Sequence, residues 1–226
     1  NEVSPGVFVL KDGIPNNTKD RNNIQPGDMK LRDVNGDGKV TPEDQTVIGH
    51  GLPVHIGGFT NNFEYKGFDL SVFFQWSYGN DVINYNRYKL ENMTSRNSNL
   101  LASAKDHWTP RIDNGDGTYT EGNYTNYLCR VKGDIGNINT SRVVEDASFL
   151  RLKNVQLGYN FPVKLIKRLG ISSLRLYVSG QNLWTWTKYT GYDPEVSTRN
   201  SALTRGFDYS AYPKTTSYTF GVKLGL

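Results

Sequence analysis

Apolar and polar residues alternate with period two along five stretches of the chain, each close to ten residues long. Between 68 and 78 one face carries Phe68, Leu70, Val72, Phe74, Trp76 and Tyr78, and the other carries Asp69, Ser71, Phe73, Gln75 and Ser77. Phe73 is the one apolar residue on the polar side. The stretch before it, 55–65, sets Phe59, Phe63 and Tyr65 against Thr60, Asn62 and Glu64. Lys66-Gly67 joins the two as a tight hairpin, with Gly supplying positive φ. The pattern returns at 151–161, where Val155, Leu157, Tyr159 and Phe161 alternate with Asn154, Gln156, Gly158 and Asn160. It returns at 174–186, with Leu174, Leu176, Val178, Trp184 and Trp186 against Arg175, Tyr177, Ser179 and Gln181, and at 216–226, with Tyr218, Phe220, Val222, Leu224 and Leu226 against Ser217, Thr219, Gly221, Lys223 and Gly225. Period two predicts strands with one apolar face. Their length matches the ~9–11 residues that a tilted membrane-spanning strand requires. Val163 to Leu169 reads as a helical turn between Pro162 and Gly170, and Val7 to Leu10 as a short rim strand.

The connections sort by length: short at 66–67 and 162–172, long at 79–147 and 187–215. Aromatic residues gather at strand ends, as Trp76 with Tyr78, Tyr159 with Phe161, and Trp184 with Trp186. Outer-membrane barrels show both features. The fold class expected is therefore all-β: an antiparallel transmembrane β-barrel segment of about five strands. Residues 1–54 form an extracellular loop region, and residues 55–226 carry the strands with extracellular loops 79–147 and 187–215. Strands 55–65, 151–161 and 216–226 then run inward, which puts the carboxyl terminus on the periplasmic side. The other reading of the same pattern is a soluble β-sandwich. Composition agrees with a β-rich chain: 12% aromatic residues and 23 Gly. No run approaches the ~18–20 apolar residues of a membrane helix. A formal charge of +4 with one tight basic cluster, Lys164, Lys167 and Arg168, gives no nucleic-acid surface. Cys129 is alone, so no intrachain disulfide forms.

Asp33-Val34-Asn35-Gly36-Asp37-Gly38-Lys39-Val40-Thr41-Pro42-Glu43-Asp44 has oxygen donors at loop positions 1, 3 and 5, Gly at 6 and a carboxylate at 12. A Ca²⁺ loop uses this spacing, because alternate side chains turn inward and the Gly permits a sharp bend. Asp33, Asn35 and Asp37 would give side-chain oxygens, Lys39 its carbonyl and Asp44 the closing carboxylate, with Thr41 at the position a water often completes. The Ca²⁺ would be structural. A plain turn rich in Asn, Asp and Gly is the alternative. Asp113-Asn114-Gly115-Asp116-Gly117 lacks the closing carboxylate and reads as a turn. His50, His55 and His107 are not spaced as ligands, and no catalytic set is present, so no enzymatic activity is expected. Trp108, with the Tyr-rich stretch 119–127, is the candidate for stacking on sugar rings.

Pro26-Gly27-Asp28-Met29-Lys30, the acidic loop and Val47-Ile48-Gly49 resemble segments of the SusC/RagA-like TonB-dependent outer-membrane transporters of Bacteroidetes-type bacteria. Tyr65-Lys66-Gly67-Phe68-Asp69-Leu70-Ser71, Phe149-Leu150-Arg151-Leu152-Lys153-Asn154-Val155 and Gly180-Gln181-Asn182-Leu183 add to the likeness, in the same order as in the carboxyl-terminal part of that barrel. The resemblance implies a plugged barrel of ~22 strands, set in outer-membrane lipid. It further implies import of large nutrients, foremost oligosaccharides, with a SusD-like surface lipoprotein, and TonB contact through a part outside this chain. A soluble extracellular Ca²⁺-binding β-module that binds glycan or protein is the competing function. Five strands cannot stand alone in lipid, since both edges would leave backbone groups unpaired at several kcal/mol each. The remaining plug-and-barrel part is thus a required partner, and the chain is expected to be one piece of a split or cleaved transporter interrupted in an external loop.

Overall fold

The alternating stretches are strands. The computed structural model describes residues 2–17, 24–94, 97–125, 127–131, 140–196 and 205–226. In chain order its strands are β1 (Glu2–Ser4), β2 (Val7–Phe8), β3 (His55–Tyr65), β4 (Phe68–Tyr78), β5 (Asp81–Asn84), β6 (Ile112–Asp113), β7 (Tyr119–Thr120), β8 (Val144–Asp146), β9 (Phe149–Asn160), β10 (Ser173–Thr187), β11 (Phe207–Asp208) and β12 (Ser217–Gly225). Two short helices, α1 (Tyr85–Glu91) and α2 (Val163–Ile166), interrupt them. The chain divides into a unit of residues 49–84 and 144–226 and a second of residues 1–48 and 85–143.

In the first unit β3, β4, β9, β10 and β12 pair in sequence order as one antiparallel sheet. Lys66 (φ 47°) and Gly67 (φ 90°) close the first hairpin with the two left-handed residues a tight turn demands. The β9–β10 connection is α2 followed by a 3-10 turn at Lys167–Leu169, which Gly170 ends at φ 72°. Phe59, Phe63, Leu70, Val72, Phe74, Leu157, Val178, Phe220 and Val222 share one face. That face is bare: Phe220 is 81% exposed, Val222 66% and Phe63 58%. A continuous apolar surface across five strands needs an apolar medium.

Two bulges adjust the alternation. Opposite Phe73 and Phe74, β9 carries one extra residue, so Leu150 and Leu152 join Val155, Leu157 and Tyr159 on the apolar face. β10 adds another between Gln181 and Trp184, with Asn182 at φ 51°. Asn tolerates that conformation better than most side chains, and Asn182 Nδ2 donates to the Thr215 carbonyl at 3.0 Å. The second bulge returns Trp184 and Trp186 to the apolar side. Phe73, the exception in the pattern, lays its ring against Gly58 of the neighbouring strand, where a Cβ would meet it at 2.7 Å. Gly158 does the same for charge. Asp69 and Arg175 form an ion pair across β9 above it, and a Cβ at Gly158 would lie 2.6 Å from both side chains.

Beside this sheet, β11, β5 and β8 form a smaller one. Its core is Val82, Ala147 and Tyr189, with Val196 packed against them. The Tyr189 hydroxyl donates to Asp208 at 2.5 Å. Burial, then the adjacent Asp208, pushes that phenol well above its ordinary range.

The second unit pairs β1 with β2 and β6 with β7. It turns on Glu91 at the end of α1, whose side chain is 2% exposed. Arg87 Nε donates to it at 3.2 Å, Arg142 Nη2 at 3.0 Å, Tyr127 Oη at 2.8 Å and Ser103 Oγ at 3.0 Å. Burial alone would raise the Glu91 carboxyl, but the Tyr127 and Arg142 hydrogen bonds and the Arg87 charge outweigh it and hold it low.

With the apolar face against lipid, Val72→Arg should cost ~2–4 kcal/mol and lower the yield of assembled barrel, while Ser71→Arg on the polar face should cost much less. Equal assembly of the two variants, scored by heat-modifiable gel migration, contradicts the facing. Glu91→Gln leaves two guanidinium groups around a neutral amide, and α1 should lose about 3 kcal/mol of local stability, read by hydrogen exchange on the complete protein. Because the folded Glu91 carboxyl lies below its ordinary 4.5, its stabilisation is fully present above that value and lost only as pH falls through the lowered one. Protection of α1 should therefore stay level from roughly pH 7 to 5 and decline in more acid solution; loss near pH 6 contradicts this.

Candidate functional site

On the polar face of the five-stranded sheet lies a cavity of about 860 Å³. Gly58 of β3, Phe73 and Gln75 of β4, and Phe149 of β9 form its floor. Gly51, Pro194, Glu195, Arg205 and Gly206, from connecting segments folded over that face, form its walls. Gly51 and Gly206 allow two of these segments to touch, since a Cβ at Gly206 would lie 2.9 Å from the Gly51 Cα.

One buried cation holds the wall in place. Arg151 points from the polar face of β9 just past the bulge, and its side chain is 2% exposed. It donates to Asp193 Oδ1 at 2.5 Å and to Glu195 Oε2 at 3.3 Å, with its guanidinium 5.2 Å from the Phe149 ring centre. Asp193 also accepts from the backbone N–H of Glu195 at 2.9 Å and of Lys214 at 3.1 Å. Burial would raise the Asp193 carboxyl, yet the Arg151 hydrogen bond and these two N–H groups prevail and lower it. Glu195 gathers two ammonium groups as well, Lys214 Nζ at 2.6 Å and Lys153 Nζ at 3.8 Å. Removing either member of so buried a pair costs ~3–5 kcal/mol, because the other charge stays behind. None of these charged residues was singled out from sequence. The one available signal was Lys153, a charge at the point where the alternation of β9 slips.

The acidic loop lies in the other unit. Gly36 (φ 80°) and Gly38 (φ 81°) make its bends. Asp33 accepts from the N–H of Gly36 at 2.6 Å and of Gly38 at 2.8 Å, Asn35 from Asp37 at 3.0 Å, and Asp37 from Lys39 at 2.8 Å. Asp44 accepts from Thr41 N–H at 2.7 Å and Val34 N–H at 2.8 Å, and these contacts, Thr41 first, lower its carboxyl. It also completes a capping box with Thr41. The donors thus stand in the order a Ca²⁺ loop uses and turn toward the loop interior. Among the described residues, however, no three His, Cys, Asp or Glu side chains converge at metal spacing. The Asp113–Asp116 segment is the turn of the β6–β7 hairpin, with Asp113 and Asp116 accepting from the N–H of Gly115 and Thr118 at 2.8 Å each.

Trp108 meets Phe8 edge-on at 5.4 Å and Tyr124 at 6.4 Å. Asn126, within the Tyr-rich stretch, lies outside the described residues. His55 Nδ1 accepts from Trp76 Nε1 at 3.1 Å, and His107 Nδ1 sits 2.9 Å from the Ala104 carbonyl.

No family model matches the chain. Curated relatives do. The chain is 36% identical to TonB-dependent receptor P3 of Formosa agariphila over 204 residues, covering 88% of this chain and 19% of that protein. TonB-dependent receptor P39 of the same organism is 34% identical over 206 residues, 89% of this chain and 19% of the relative. TonB-dependent receptor SusC of Bacteroides thetaiotaomicron is 26% identical over 209 residues, 89% of this chain and 18% of the relative. The chain therefore spans about one fifth of the length of these relatives. Among solved structures, that of the RagAB peptide transporter superposes with a TM-score of 0.68 at 27% identity, over 85% of this chain and 20% of that one. The RagAB peptide importer in its closed-closed state gives 0.64 at 26%, over 86% and 20%. A bare apolar face on five meandering strands is what a stretch of such a barrel presents, and over most of its length the chain is homologous to a β-barrel segment of SusC/RagA-like TonB-dependent receptors.

Proposed function

We propose that the chain forms part of the wall and outer mouth of an outer-membrane transporter for large nutrients. The apolar sheet face carries this reading, since it has no use outside lipid and is 81% exposed at Phe220. The same face weighs against a soluble β-module. The short connections at 66–67 and 162–172 then lie on the periplasmic side, and the long ones, with the cavity, outside. The free edges of β3 and β12 pair with strands from the rest of the receptor, because unpaired N–H and C=O groups cannot face hydrocarbon. Energy arrives through TonB at a part outside this chain. A SusD-like lipoprotein covers the mouth, and oligosaccharides are the favoured cargo. Support for the lipoprotein and for nutrient import comes from the names SusC and RagAB. RagAB is a peptide transporter, so a peptide cargo is the second reading.

Cells carrying the complete receptor should take up an oligosaccharide too large for porins, and lose that uptake when either the receptor or TonB is deleted. Uptake that persists without TonB, or a receptor recovered in the soluble fraction, defeats the proposal.

The acidic loop would bind one structural Ca²⁺, with Asp33, Asn35, Asp37, the Lys39 carbonyl and Asp44 drawn from their backbone partners onto the ion. The inward turn of the first three side chains and the paired glycines support this. Asp33→Ala combined with Asp37→Ala should remove one Ca²⁺ per receptor and increase proteolysis around residues 26–50. Equal calcium in variant and parent by elemental analysis would sink the idea.

A further inference from the structure

The turn between β9 and β10 carries both charge and apolar surface without a partner in the sheet. Lys164 lies on α2, and Lys167 and Arg168 on the 3-10 turn that follows. All three are exposed, and none has an ion pair among the described residues. The sequence has no acid between Asp146 and Asp193, so nothing nearby along the chain neutralises them. Leu165 and Leu169 are 67% and 74% exposed, while Ile166 is buried at 4%. Ile166 thus sets the inner side of the turn, and the two leucines, four residues apart, are neighbours on an outer one. Lys164 and Arg168 have the same spacing and form a second, cationic flank.

Exposed leucines beside unpaired cations suit a membrane interface. There the apolar side chains enter the acyl boundary, and Lys and Arg stems carry their charges to the headgroups. The turn is continuous with the lipid-facing sheet. Phe161 meets Tyr159 edge-on at 4.9 Å, and Tyr159 meets its cross-strand partner Phe68 at 4.6 Å. These rings border the apolar face, and the turn starts directly after them at Pro162. We infer that this turn is an interfacial anchor for anionic phospholipid. Leu165 and Leu169 dip into the lipid boundary at the periplasmic rim, and Lys164, Lys167 and Arg168 bind headgroup phosphates. The guanidinium pairs with a phosphate through two N–H donors, and each ammonium acts as a point charge. The inference rests on the barrel reading and adds a lipid preference to it.

The test places single nitroxide labels at position 169 or 72 of the complete receptor, reconstituted in discs of phosphatidylcholine with or without phosphatidylglycerol. Access to oxygen and to a water-soluble nickel chelate is read at each. With phosphatidylglycerol present, the label at 169 should be reached by oxygen and shielded from the chelate. Lys164→Gln, Lys167→Gln and Arg168→Gln together, or omission of the anionic lipid, should raise chelate access at 169 by about threefold or more. The label at 72 should not change, which shows that the sheet is intact. Lys164→Arg with Lys167→Arg should behave as the parent. Free chelate access at 169 in both lipids overturns the anchor, and shielding that ignores lipid charge and the three cations overturns the headgroup contact. Shielding from oxygen and chelate alike means that protein covers the turn, which also overturns the inference. If position 72 is in lipid while 169 fails, the barrel reading stands; if 72 is open to the chelate, that reading fails too.

Discussion

Hydrocarbon offers no hydrogen bonds, and the sheet is arranged around that constraint. Each backbone N–H and C=O on the membrane path must find its partner on a neighbouring strand. Side chains are then left with two directions, and period two follows. β3, β4, β9, β10 and β12 meet the requirement among themselves in strict sequence order, which keeps every connection on one rim or the other. A tight turn suffices where two strands meet directly, as at Lys66-Gly67. The opposite rim is where the chain can hold long insertions without disturbing a ladder.

Those insertions are organised by charge rather than by a large apolar core. Buried hydrophobic residues are few on the inner side, and Arg151 takes the organising role, bonding Asp193 and Glu195 so that their loop lies against the sheet. Its position follows from the bulge in β9. Without the extra residue at Lys153-Asn154, Arg151 would point to the apolar face, where a cation costs several kcal/mol. Backbone irregularity and buried ion cluster are therefore one device. The Asp69–Arg175 pair above Gly158 works on the same principle near the other rim, joining strands that share no hydrogen bonds.

The strands were legible because burial on one side only writes a period-two signal. β3 and β4 match the sequence reading to the residue, and β9, β10 and β12 to within two. Phe73, out of phase, found its reason in the absent side chain of Gly58. The flip of Leu150 and Leu152 was not read, since a bulge inverts the alternation and a short run then resembles noise. β5, β8 and β11 are two to four residues long, too short to show a period, and their pairing depends on chain segments far apart in sequence. The Arg151 cluster was invisible for the same reason: its members come from residues 151, 153, 193, 195 and 214, and no local motif brings them together. The acidic loop was read from donor spacing, because the contacts of its acidic side chains are local.

Site-directed labelling along β9 tests the barrel account most directly. Single spin labels at positions 150 to 159 of the complete receptor in bilayers would report relative access to oxygen, which concentrates in lipid, and to a water-soluble nickel chelate. The account predicts oxygen access at 155, 157 and 159, then a change of phase at the bulge to 152 and 150, with low oxygen access at the intervening positions. Uniform access to the chelate, or an alternation that runs through 153 without changing phase, would contradict it.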